Sequence, residues 1–80
     1  MSSQEILQKI TTIVREELEN DDIVLTSQTR AKDVPGWDSL AHVRIVVGIE
    51  DAYGVEFDTN AVTGLKNVGD LIALVEATTG

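Results

Sequence analysis

Few residues in this chain are equipped for chemistry. There is no cysteine, so a disulfide, a thiolate metal site and a cysteine nucleophile are all excluded. The one histidine, His42, lacks partners at ligand spacing and is expected to be a satisfied or edge residue rather than a metal ligand. The remaining candidate is Ser39, in the run Gly36-Trp37-Asp38-Ser39-Leu40. No base stands beside it to make it a nucleophile. His42 is three positions on, and Asp38 alone supplies neither an oxyanion hole nor an orienter. The chain is therefore expected to do no chemistry by itself. Ser39 instead has the setting of a residue that is modified. Pro35-Gly36 breaks the chain before it, Asp38 is a helix-capping residue, and the first turn of a helix exposes amides carrying partial positive charge. A phosphate on Ser39 would lie in that field, worth about 0.3–1 kcal/mol at an exposed site.

The element that must position Ser39 is the helix it opens. Leu40 to Tyr53 has helical character, and Gly54 is a natural end because glycine adopts positive φ without a Cβ clash. At about 100° per residue, Ile45, Val46, Ile49 and Tyr53 share a sector about 100° wide, enough for a core face. Leu40, Val43 and Val47 share a second sector about 60° wide, centred about 130° away, with Arg44, Glu50 and Asp51 on its flanks. The periodicity admits two accounts: a helix packed on two sides, or one core face and one docking face for partner proteins. Ala41, Gly48 and Ala52 form a strip of small residues. It allows close backbone approach or leaves room for an arm or chain to slip inwards. Trp37, the only tryptophan, anchors the loop on the core or touches partners.

These residues carry a resemblance. Asp38-Ser39-Leu40, the helix after it, and Ile49-Glu50-Asp51-Ala52-Tyr53-Gly54-Val55-Glu56-Phe57 resemble acyl carrier proteins. The likeness extends over essentially the whole chain and needs no gaps after Ser39. It implies that Ser39 carries 4′-phosphopantetheine, attached from coenzyme A by a phosphopantetheinyl transferase, with an acyl group held on its thiol as a thioester. It implies that Asp38 assists by position and charge near the transferase metal. It also implies that Leu40, Val43, Arg44 and Val47 face the enzymes that load, modify or unload the thioester. The chain departs from the commonest fatty-acid carriers, whose recognition helix is studded with acid. Here Ala41, His42 and Arg44 occupy its first turns, and acid returns only at Glu50 and Asp51. Because charge complementarity sets partner choice, the departure points to a specialised pathway, polyketide, nonribosomal-peptide or related. An aminoacyl or aryl carrier of the same fold is the near alternative. An unmodified helical interaction module is the alternative of a different class.

Composition agrees with a folded carrier. Eighty residues with 42% hydrophobic content are expected to form one domain with a modest core. Fourteen acidic against six basic residues give a net charge of −8, which disfavours nucleic acid and anionic membrane and favours basic partner surfaces. No apolar run approaches the about 20 residues that span a bilayer. A cytoplasmic monomer is the expectation.

The rest of the chain supplies the frame, and the fold class expected is all-α. It is a four-helix bundle like that of the acyl carriers, with three main helices, one short helix and a long first loop. The first helix is expected from near Ser3 to about Glu19, with a capping box of Ser2 and Glu5 and an apolar face of Ile6, Leu7, Ile10, Ile13, Val14 and Leu18. Ile23, Val24, Leu25 and Val34 are expected to pin the loop onto the core. No strand is expected at Ile23-Val24-Leu25-Thr26, because nothing would pair with it. Arg30 and Lys32 read as a solvated basic spot. Phe57 should tuck into the core, Asp58-Thr59-Asn60 should cap a short helical turn through Ala61, Val62 and Thr63 ended by Gly64, and Asn67 should cap a last helix from Val68 to about Thr78. Its core positions are Val68, Leu71, Ile72 and Val75.

Overall fold

The computed structural model describes residues 3–79. Its helices are α1 (Ser3–Glu17), α2 (Ser39–Tyr53), α3 (Thr59–Thr63) and α4 (Val68–Thr79), with a 3-10 turn at Ala31–Asp33 inside the long first loop. No strand forms among the described residues. α1 packs on α2 and on α4. Ile6, Ile10 and Val14 of α1 meet Ile45 and Ile49 of α2 and Leu71 and Val75 of α4 in the sealed centre. Each helix contributes residues three or four apart, the spacing that lines up one face.

α1 stops at Glu17, two residues short of the expected end, and Ser2 of the expected capping box lies outside the described residues. The stop is a reversal of the backbone at Glu19, whose φ is 53°. The Asn20 N–H donates to Arg15 O at 3.0 Å and the Glu19 N–H to Glu16 O at 3.3 Å. That is a Schellman ending with glutamate in the place glycine usually takes. At Gly48 of α2 a Cβ would sit 3.0 Å from Ile13 Cγ2, so close approach of α1 is what the glycine serves. The small-residue strip does not continue, since Ala41 is buried but Ala52 is exposed.

The first loop is strapped down along its length. Ile23, Leu25, Val34 and Trp37 are buried. Val24, expected to be a fourth pin, is 75% exposed, because an extended segment turns alternate side chains to opposite sides. Arg15 Nε donates to Ile23 O at 2.8 Å. The first amides of α4, which have no partner inside their own helix, donate to this loop. Val68 N–H reaches Thr29 O at 2.8 Å and Gly69 N–H reaches Ser27 O at 2.7 Å. A Cβ on residue 69 would lie 2.8 Å from Ser27 O, so only glycine permits that approach. Asn67 caps α4 as expected, its Oδ1 accepting from Asp70 N–H at 2.9 Å, while Asp70 Oδ2 accepts from Lys66 N–H.

The 3-10 turn was not foreseen. Arg30 of the expected basic spot is paired rather than merely solvated, its Nε 3.3 Å from Asp33 Oδ2. The hydrogen bonds from Arg30 hold the Asp33 carboxyl below the usual carboxylate range. At the other end of the bundle Tyr53 packs half-buried against the core. Burial, and to a lesser extent Glu5, raises its phenol above the ordinary value.

Candidate functional site

Ser39 lies at the first position of α2 and is exposed. Asp38 precedes it in extended conformation (φ −98°, ψ −174°) and caps the helix, its Oδ1 accepting from Ala41 N–H at 2.8 Å. One carboxylate oxygen of Asp38 therefore holds the turn. Asp38 Oδ2 has no hydrogen-bond partner among the described residues. α2 closes on Gly54, with φ of 65° and Val55 N–H donating to Glu50 O at 3.0 Å.

The two faces of α2 separate as the sequence indicated. Ile45, Val46 and Ile49 are buried, and Tyr53 is half-buried. Leu40, Val43 and Val47 are 63%, 58% and 47% exposed, so the account of a helix packed on both sides does not hold within this chain. Arg44 is exposed beside them and has no carboxylate in ion-pair reach among the described residues. Glu50, expected as a flanking charge, is engaged instead: its Oε2 accepts from Phe57 N–H at 2.7 Å.

Trp37 is buried and anchors the loop immediately before Asp38. Its indole N–H donates to His42 Nδ1 at 3.2 Å, and the two rings stack at 27° with centroids 6.1 Å apart. An indole nitrogen can only donate, so His42 Nδ1 is the acceptor and Nε2 carries the hydrogen. That Nε2–H faces Val62 O at 3.1 Å. His42 thus ties the loop, α2 and α3 together. Sequence reasoning predicted a satisfied or edge histidine but not these partners, since no periodicity links positions on three different segments.

Next to Ser39 the surface opens into a groove of about 630 Å³, with Lys32, Trp37, His42, Val43 and Val62 among its walls. An exposed hydroxyl with no hydrogen-bond partner among the described residues, in the lining of an open groove, suits a flexible covalently attached arm. No group of histidine, cysteine, aspartate or glutamate that could hold a metal occurs among the described residues. No described helix is long and apolar enough to cross a membrane.

Comparison with known proteins agrees with this geometry. The family described as "Phosphopantetheine attachment site" matches residues 8–75. The acyl carrier protein of Prochlorococcus marinus (strain MIT 9515) is 36% identical over 80 residues, all of this chain and all of that protein. Among solved structures, the solution NMR structure of a holo acyl carrier protein from Geobacter metallireducens superposes with a TM-score of 0.81 at 42% identity. That match covers 89% of this chain and 82% of the other.

Proposed function

Because the chain belongs to the phosphopantetheine-binding acyl carrier proteins, which are carriers and not enzymes, we propose that Ser39 is the residue that bears its 4′-phosphopantetheine. The arm supplies the thiol on which acyl groups travel as thioesters. The observation that carries the assignment is Ser39 itself, exposed and unengaged at the start of α2 beside a groove. On attachment Ser39 Oγ gives up its proton and bonds to phosphorus, while the pyrophosphate link of coenzyme A breaks and the adenosine bisphosphate leaves. Asp38 keeps the turn rigid with Oδ1 and offers Oδ2 to the transferase and its metal. Leu40, Val43 and Val47 form the dry centre of the contact with acyl-loading and acyl-transferring enzymes, and Arg44 stands at its rim. A cytoplasmic setting and a monomeric state belong to the same reading.

The finer proposal is service in a specialised pathway, polyketide, nonribosomal-peptide or related, rather than housekeeping fatty-acid synthesis. Its support is the charge on α2. Arg44 faces outward near Ser39, and of the two acids that follow, Glu50 has its carboxylate engaged by Phe57 N–H. A basic docking surface would meet a like charge there at Arg44. An aminoacyl or aryl group on the same arm remains within this proposal. An unmodified interaction module does not, since the family is defined by its arm.

The test uses intact protein, coenzyme A and a broad-specificity transferase. Wild type is expected to gain the mass of the arm, and Ser39→Ala to gain nothing while keeping its helical spectrum. An alanine variant that still gains the mass would move the site elsewhere.

A further inference from the structure

We propose that His42 is a positioning residue for arm attachment: by accepting the Trp37 indole N–H across the start of α2, it sets the direction in which Asp38 and Ser39 leave the loop. The proposal rests on Ser39 being the attachment point. Ser39 does not hold itself in place, since its hydroxyl is exposed and has no hydrogen-bond partner among the described residues. Its direction is inherited from its neighbours. Asp38 is the cap, so Trp37 is the residue before the cap and His42 the fourth of the helix. Those are the two positions at which a staple commonly pairs across a helix start and fixes the angle at which the chain enters. A staple is usually two apolar side chains, whose contact tolerates sliding. Here it is a hydrogen bond of 3.2 Å and a ring stack with centroids 6.1 Å apart. A hydrogen bond weakens steeply as it bends, so this staple fixes direction as well as distance.

The rest of the turn is knitted to this pair. Asp38 N–H donates to Gly36 O at 3.1 Å, and His42 N–H donates to Asp38 O at 2.9 Å. The Trp37 ring seats the turn in the core. Without an acceptor on residue 42, the indole N–H of a buried ring is stranded. The ring relieves that cost by turning towards water, and Asp38 and Ser39 turn with it. His42 is not the base of the reaction, because both of its nitrogens are engaged, Nδ1 by Trp37 and Nε2 by Val62 O. Its part is to hold Ser39 Oγ where phosphorus can be attacked in line, as the pyrophosphate link of coenzyme A breaks and the hydroxyl proton leaves. A reacting atom displaced by about 1 Å can lose about 100-fold in rate.

The experiment measures arm attachment from coenzyme A by a broad-specificity transferase, read by intact mass, with fragment masses to locate the arm. His42→Leu keeps an apolar body and loses the acceptor. His42→Asn puts Oδ1 where Nδ1 stands. Both lose the bond to Val62 O, so the difference between them isolates the bond to Trp37. Trp37 is the only tryptophan, so a single indole N–H resonance reports that bond through its shift and its exchange with water. His42→Leu is expected to lose about tenfold in kcat/KM for the carrier, with KM for coenzyme A unchanged, and His42→Asn to stay within about twofold of wild type. Trp37→Phe keeps a ring and loses the donor. It should be as slow as His42→Leu, with the double variant no slower than either, and it serves where His42→Leu is too unstable. All rates are taken at a temperature where circular dichroism shows each variant folded. A histidine that serves only stability would leave the folded variants equally fast, which overturns the proposal. So does any variant in which the rate and the indole bond part company. An arm found away from Ser39 fails the premise instead, and the fragment masses distinguish that case.

Discussion

At the scale of single residues, Glu50 shows how position on a helix can mislead. It lies on the flank of the exposed stripe of α2, where a carboxylate has the look of a docking charge. Its Oε2 instead accepts from Phe57 N–H at 2.7 Å, fixing the extended link that follows Gly54 and seating Phe57 against the core. A hydrogen bond to a charged acceptor contributes about 1.5–3 kcal/mol, so Glu50→Ala should cost that amount in a urea melt. Glu50→Gln should cost clearly less, because an amide oxygen still accepts. Equal losses in the two variants would place the stabilisation in the charge and not in the bond to Phe57. The contact reaches seven residues along the chain and around a turn, and no local pattern in Ile49-Glu50-Asp51 announces it.

At the scale of elements, α2 was the most legible part of the chain. Asp38 and Gly54 bound it because each does something an average residue does poorly: one accepts from a helix amide, the other takes positive φ. Its two apolar sectors follow from helical period alone, and the exposures of Leu40, Val43 and Val47 agree with them. The end of α1 was less legible, because Glu19 sits in a conformation its residue type does not advertise. Val24 was misplaced by reading Ile23-Val24-Leu25 as a run where the backbone makes it an alternation. The Trp37–His42–Val62 link was invisible, since it joins three segments that only packing brings together. The division of α2 has a direct test. Ile49→Ala and Leu71→Ala should each lose about 2–5 kcal/mol. Val47→Ala, on the exposed stripe, should lose under about 1 kcal/mol. Similar denaturant midpoints for all three would mean that Val47 is core.

At the scale of the whole molecule, the net charge of −8 draws the carrier towards basic surfaces, and Arg44 is the local exception on the face that would touch them. An exposed charge does little for folding, so Arg44→Glu should move the melt by no more than about 0.5 kcal/mol. Its effect should appear in encounter rates. Loading by the carrier's own enzyme should slow and loading by a fatty-acid synthase enzyme should quicken. Both changes should shrink as salt rises, since exposed charges are screened beyond about 10 Å at 0.1 M. Unchanged rates in both would make Arg44 a bystander and remove the main support for a specialised pathway. The long first loop belongs to this scale too, because it is fastened at Ile23 to α1 and at Ser27 and Thr29 to the start of α4. Surface loops are ordinarily where a protein absorbs inserted residues, tags and circular permutation. Here the stretch from Ile23 to Thr29 is closed to them, because one added residue would pull Ser27 O off Gly69 and leave the opening amides of α4 bare. New termini or a fused reporter belong instead at Asp21-Asp22, where both side chains are exposed and the chain has not yet met its first fastening.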